Sequence, residues 1–142
     1  MTAAVRKILD APIAPHLQPP VWLPEGETEL AYISHQLATQ FNRGVLLVWF
    51  IAVDYGNIAI PRYYPVQRKG KRGFIAPRGG VLVADFQRIF THRIQRLDRF
   101  PITWLQGERL LGEIGTVIKD ANQDTREEGT QYTVVRKLIK CF

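Results

Sequence analysis

The chain has 142 residues, 46% of them hydrophobic, which suffices for one domain with a sizeable core and is short for two. Nineteen Lys and Arg against thirteen Asp and Glu give a net charge of +6 and a pI of about 9.8, a balance compatible with a polyanionic partner. A single cysteine, Cys141, excludes an intrachain disulfide and a cysteine-based zinc cluster; the start has no apolar core of secretory type, and no run of about 18 apolar residues spells a membrane span, so a cytoplasmic protein is expected.

Residues 1–24 read as a proline-rich N-terminal arm, because Pro12, Pro15, Pro19, Pro20 and Pro24 break any helix beyond Leu9. Ile13, Leu17, Val21, Trp22 and Leu23 are too apolar for a solvated tail. The arm is therefore expected either to wrap the domain, with Trp22 docked on it, or to pair with a second subunit or protein. Residues 25–142 are expected to form one domain. Rough alternation over 27–40 predicts a strand, and the unbroken apolar run 45–53 predicts a strand covered on both faces. After the turn Asp54-Tyr55-Gly56-Asn57, a third strand over 58–67 carries Pro61 and Pro65, which suits an edge position.

Residues 67–80 are glycine-rich and basic, hence a loop. Val83, Phe86, Phe90, Ile94 and Leu97 recur at three and four and predict an amphipathic helix over 81–97, stopped by Phe100-Pro101. Residues 103–107 read as a turn or short strand. Strands are expected over 110–119, with a bulge or corner at Gly112 and Gly115, and over 131–139, joined by the polar stretch 120–129. A β-β-β-α-β-β succession is the element order of a mainly β (α+β) fold, a five-stranded OB-like barrel with one helix between strands three and four.

The positive charge is concentrated. Between Arg62 and Arg109 stand eleven basic residues and three acids, Asp85, Asp98 and Glu108, so this segment carries +8 and the remainder −2. Within it, Arg68, Lys69, Lys71 and Arg72 surround two glycines and lead to Phe74, a mobile cationic lip suited to phosphates with a ring to stack on a base. Arg62 and Arg78 flank that lip. On the predicted helix Arg88, His92, Arg96 and Arg99 fall on one face, with Asp85 and Asp98 placed to neutralise part of it. Of the adjacent rings Tyr63 and Tyr64, one faces the core and the other outward, as do Trp49 and Phe50; Tyr64 is taken with Phe74 as the stacking pair. Fifteen aromatics are many for one core of this size.

Support for catalysis is slight. His16, His35 and His92 lack metal-ligand spacing, and no phosphate-loop, nucleophile-elbow or metalloprotease motif is present, so neither an enzyme nor a cofactor is expected. Asp54, Asp120, Asp124, Glu127 and Glu128 leave a small magnesium-dependent nuclease as one alternative. A protein–protein adaptor acting on a host complex through the apolar stretch 13–23 is another. Single-stranded DNA or RNA is the expected partner.

The stretches WLPEGETELAYI (22–33) and LLVWFIAVDYGNIAIPRYYPV (46–66), with the closing QYTVVRKL (131–138), loosely resemble small phage- or mobile-element-encoded OB-like proteins. Several of these are described as single-strand-binding or recombination accessories. The resemblance spans about two-thirds of the chain and implies a fold of that type and a nucleic-acid role. Glu29 replaces the tyrosine expected after the P-x-G opening, and Pro61 and Pro65 interrupt the third strand, so no binding position is carried over.

Overall fold

A computed structural model describes residues 21–40, 42–117 and 132–142. The chain is mainly β with one α-helix. Strands β1 (Gly26–Gln40), β2 (Arg43–Ala52), β3 (Ile58–Pro65), β6 (Arg109–Val117) and β7 (Tyr132–Cys141) form one antiparallel sheet in the order β3-β2-β1-β6-β7. Between β3 and the helix α1 (Val81–Ile89) lies a separate hairpin, β4 (Gln67–Lys69) with β5 (Gly73–Ile75). The expectation of a structureless loop over 67–80 is corrected to that extent.

β1 is long enough to serve two partners. Gly26–Ala31 pair with β6 and Leu30–Gln40 pair with β2, and the register shifts by one residue between Tyr32 and Ser34. Such a bulge bends the strand and increases its twist, which curls the sheet. β6 shifts register twice against β7, around Gly112 and again before Ile114. A Cβ at Gly112 would lie 2.3 Å from Leu30 Cδ1, so any larger residue there would have to displace the buried Leu30 side chain. The two edges of the curled sheet, β3 and β7, come close enough for Tyr63 and Tyr132 to share a side-chain hydrogen bond.

β2 is buried on both faces, as its apolar run requires. Leu46, Val48, Phe50 and Ala52 face the main core, with Leu30, Ile60, Tyr64, Leu110, Ile114 and Leu138. Leu47 and Trp49 face the other way and join Ala59, Ile33 and Tyr63 in a second apolar cluster, where the Trp49 indole nitrogen has no hydrogen-bond partner among the described residues. Proline-bearing β3 is a sheet edge, which leaves the missing N–H groups of Pro61 and Pro65 harmless.

α1 inserts Leu82, Val83, Phe86 and Ile89 into the core. It ends eight residues before the expected position: Phe90 is extended (φ −116°, ψ 142°), and residues 90–99 run without regular structure. Ile94 and Leu97 still pack against the core, so the spacing of apolar residues reported burial and not helix. The Leu97 carbonyl accepts from the Ala76 N–H at 2.9 Å, a tertiary bond in place of a helical one, and a helix carried to 97 would have met Pro101, which has no N–H to give.

One polar cluster ties helix to sheet. Asp85, only 2% exposed, accepts from the Tyr64 hydroxyl at 2.6 Å, from Arg62 at 3.3 Å and from Arg88 at 2.8 Å. Arg88 also donates to the Leu138 carbonyl on β7 at 2.6 Å. At the other end of the chain, the Val21 carbonyl accepts from the Thr133 N–H, and the Leu23 N–H donates to the Thr133 hydroxyl, each at 2.7 Å. Leu23 is buried there while Trp22 is 64% exposed, so it is Leu23 and not Trp22 that docks; arm residues 1–20 lie outside the described residues. No helix among the described residues is long and apolar enough to cross a membrane.

Removing the Asp85 carboxylate strands two guanidiniums and a phenol. Asp85→Ala is expected to cost about 3–5 kcal/mol of unfolding free energy, against about 1.5–3 kcal/mol for Tyr64→Phe, which removes one bond to a charged acceptor. Urea unfolding followed by circular dichroism checks both, and the larger loss belongs to the aspartate.

Candidate nucleic-acid interface

The β4–β5 hairpin turns through Gly70, Lys71 and Arg72. Gly70 has φ +67°, a left-handed conformation that glycine adopts without strain. A Cβ at Gly73 would stand 2.9 Å from the Lys69 carbonyl oxygen, so the close return of the chain also requires glycine. Arg68 is spent partly on this geometry: its guanidinium donates to the Thr39 hydroxyl at 2.9 Å and to the Lys71 carbonyl at 3.2 Å. Lys71 and Arg72 are left exposed at the tip.

The basic residues after α1 do not form a helix face. Arg88 alone lies within α1, while His92, Arg96 and Arg99 belong to the irregular segment, so the expected cationic stripe is corrected. Another device brings the charge together. Asp98 accepts two bonds from Arg96, 2.9 Å from Nε and 2.6 Å from a terminal nitrogen, and also pairs with Lys69 at 3.5 Å. The Ala76–Leu97 backbone bond and the Phe74–Phe100 ring contact at 6.4 Å hold the same two segments together. Phe100 in turn packs on Phe86 at 4.6 Å, anchoring the pair to the core. The hydrogen bonds from Arg96 hold the Asp98 carboxyl well down, at about 2.

Lys69 and Arg96 meet at Asp98, and the two segments they belong to also carry the exposed Lys71, Arg72, Arg93 and Arg99. Among the described residues Arg93 and Arg99 have no carboxylate partner. Beside them a surface cavity of about 480 Å³ is lined by His92, Arg93, Arg96, Arg99 and Trp104. A second cavity of about 540 Å³ is lined in part by Arg43 and by Arg68 of β4.

The other expected site residues fall elsewhere. Tyr64 is fully buried with its hydroxyl on Asp85, and burial and that carboxylate push its phenol well above the ordinary value, so it cannot stack on a base. Arg62, whose side chain is 14% exposed, lies 4.7 Å over the Tyr64 ring and pairs with Asp85; Arg88 serves the same carboxylate. Both are corrected from phosphate ligands to parts of the helix–sheet tie. Phe74 is half-buried against Phe100, a hairpin anchor and not a free ring. Trp49 and Phe50 are both buried. Arg78 is exposed in the turn before α1.

Trp104 and Arg93 were not foreseen. Trp104 sits in a 3-10 turn (Ile102–Leu105) whose position just after Phe100-Pro101, beside the most basic stretch, was the available signal. Of the carboxylates weighed for a metal, Asp54 accepts from the Thr28 hydroxyl at 3.3 Å, and Asp120, Asp124, Glu127 and Glu128 lie outside the described residues. The Cys141 thiol donates to Glu108 at 3.0 Å and, with burial, is pushed up to about 11, so it stays protonated at neutral pH. No protein family, curated protein or solved structure matches the chain.

A carboxyl held at about 2 contributes its tie above the ordinary carboxylate value and loses it only as pH falls toward 2. Carbon-detected NMR titration is therefore expected to find Asp98 ionised down to about 2, and Arg96→Gln is expected to return it toward the ordinary value near 4. An Asp98 that titrates normally in the unsubstituted chain would remove the tie as described.

Proposed function

We propose that the chain binds single-stranded DNA or RNA along the cationic surface formed by the β4–β5 hairpin and residues 90–104. The observation that carries this reading is the junction at Asp98, where Lys69 from one basic segment and Arg96 from the other meet on one carboxylate. Two stretches separated in sequence are thus joined, one bearing the exposed Lys71 and Arg72 and the other bearing Arg93 and the exposed Arg99. Exposed charges add in their effect on a polyanion only within about a Debye length, roughly 8–10 Å at ordinary salt. Lys69 and Arg96 meet that condition, since both lie within 3.5 Å of one Asp98 oxygen.

The fold supports the same reading. We take the curled sheet as an OB-like barrel: the first strand is shared between two partners, the helix falls between the third and fourth long strands, and the edges β3 and β7 adjoin. Barrels of this kind commonly carry single-stranded nucleic acid on one side and its flanking loops. Phosphates would be neutralised by Lys71, Arg72, Arg93 and Arg99, with Arg68, Lys69 and Arg96 completing the field while holding the surface in shape. The reading requires no cofactor and no bond-breaking step.

Each phosphate contact on a single strand contributes about 0.7 to the slope of log affinity against log salt. The double substitution Lys71→Gln, Arg72→Gln is therefore expected to weaken binding to a single-stranded oligonucleotide and to flatten that slope by about 1.4. Fluorescence anisotropy at several salt concentrations measures both. Unchanged affinity and slope would remove the hairpin from the interface.

A further inference from the structure

We propose that the cavity beside Trp104 receives one unpaired nucleobase, laid against the indole with the adjoining phosphate on Arg93 and Arg99, and that this pocket makes the interface prefer single strands to duplex. The inference rests on the nucleic-acid reading above and adds the place where a base is held.

Trp104 and the smaller His92 imidazole are the aromatic rings that line the cavity. Tyr64 and Phe50 are sealed in the core, Trp49 lies in the second apolar cluster, and Phe74 packs on Phe100. Trp104 is half-buried and braced. Ile102 and Leu105 on the same 3-10 turn are 6% and 0% exposed and fix the backbone. Phe90 meets the indole edge-to-face at 5.6 Å and His92 at 5.9 Å. A ring held from three directions loses little freedom when a ligand arrives, which is the condition for an effective stacking platform.

The surroundings narrow the chemistry of that ligand. The cavity, at about 480 Å³, has room for a nucleotide, and its rim carries Arg93, Arg96 and Arg99. Arg96 is committed to Asp98 through two bonds, so Arg93 and Arg99 are the guanidiniums left to meet an anion. A flat apolar ring next to unpaired guanidiniums fits a flat ring that carries a phosphate. A base inside a duplex has its faces covered by its neighbours and cannot reach such a ring, so only an unpaired base gains from it.

The test compares a single-stranded oligodeoxythymidylate of about twelve residues with a duplex of equal length, within the site sizes usual for one such domain. Trp104→Ala is expected to weaken single-strand binding roughly 5- to 150-fold while leaving duplex binding within a factor of about two, and Trp104→Phe is expected to recover most of the loss. Tryptophan emission supplies a second readout: Trp22 and Trp49 also emit, so quenching by the single strand should fall in Trp104→Phe, which keeps a packing ring, by the share that Trp104 contributes. Equal losses on both ligands, no loss, or quenching undiminished in Trp104→Phe would overturn the pocket. If the unsubstituted chain binds neither ligand, the nucleic-acid reading itself fails; if it binds both and responds to Lys71→Gln, Arg72→Gln but not to Trp104→Ala, that reading stands without the pocket.

Discussion

Asp85 is the group on which the arrangement of this molecule turns. A carboxylate with so little solvent contact is tolerable only when cations and donors surround it, and each of its partners comes from a place that the fold must bring to it. Tyr64 and Arg62 come from the edge strand β3, Arg88 from the next turn of α1, and Arg88 carries the link on to the Leu138 carbonyl of β7. The phenol of Tyr64, held protonated far into the alkaline range, is a dependable donor at any ordinary pH. The helix is thereby pinned across the gap between the two edges of the sheet. The hairpin that precedes it and the irregular segment that follows leave from fixed points, and the cationic surface is built from those two segments.

How far this could be read from the residues depended on whether the cause was local. The two-faced strand β2, the edge position of β3 with its prolines and the bulge at Gly112 all follow from side chains acting on their own backbone, and each was legible. The end of α1 was not. Phe90, Ile94 and Leu97 keep a helical spacing and are half-buried, yet the chain there is irregular because Leu97 bonds to Ala76, a partner in another segment. The hairpin β4–β5 has the composition of a loop, since its three-residue strands are held by a turn that depends on Gly70 and Gly73. Periodicity records which side of a segment is dry. It does not say which backbone conformation dries it.

The choice between Tyr63 and Tyr64 shows the same limit at the level of a single side chain. Alternation requires one ring inside and one outside, but the inward row of β3 reads Ile60, Arg62, Tyr64, with a guanidinium between two core residues. A charged residue in that row argues for the opposite assignment unless its partner is known, and the partner, Asp85, stands 23 positions away on the helix. Counting aromatics misleads for a related reason. Phe50, Tyr64, Phe86 and Phe100 fill the main core and Trp49 the second cluster, so five of the fifteen rings are sealed by packing and cannot meet a ligand. What distinguishes Trp104 is its place.

The two buried or partly buried carboxylates divide the basic residues into distinct roles. Asp85 takes Arg62 and Arg88, and Asp98 takes Arg96 and Lys69, so four of the cations in the most basic segment work to hold the structure. An Asp98 pair at the surface adds little stability by itself, because both charges remain in water. Its consequence is geometric: it ties the irregular segment to the hairpin, and the exposed Lys71, Arg72, Arg93 and Arg99 of those two segments have no ion-pair partner among the described residues. Had the predicted helix continued through residue 97, Arg96 would have been carried away along its axis and the hairpin left as an isolated tip. The breakdown of the helix at Phe90 is therefore what lets Asp98 join two separate runs of charge, with Trp104 next to the second of them.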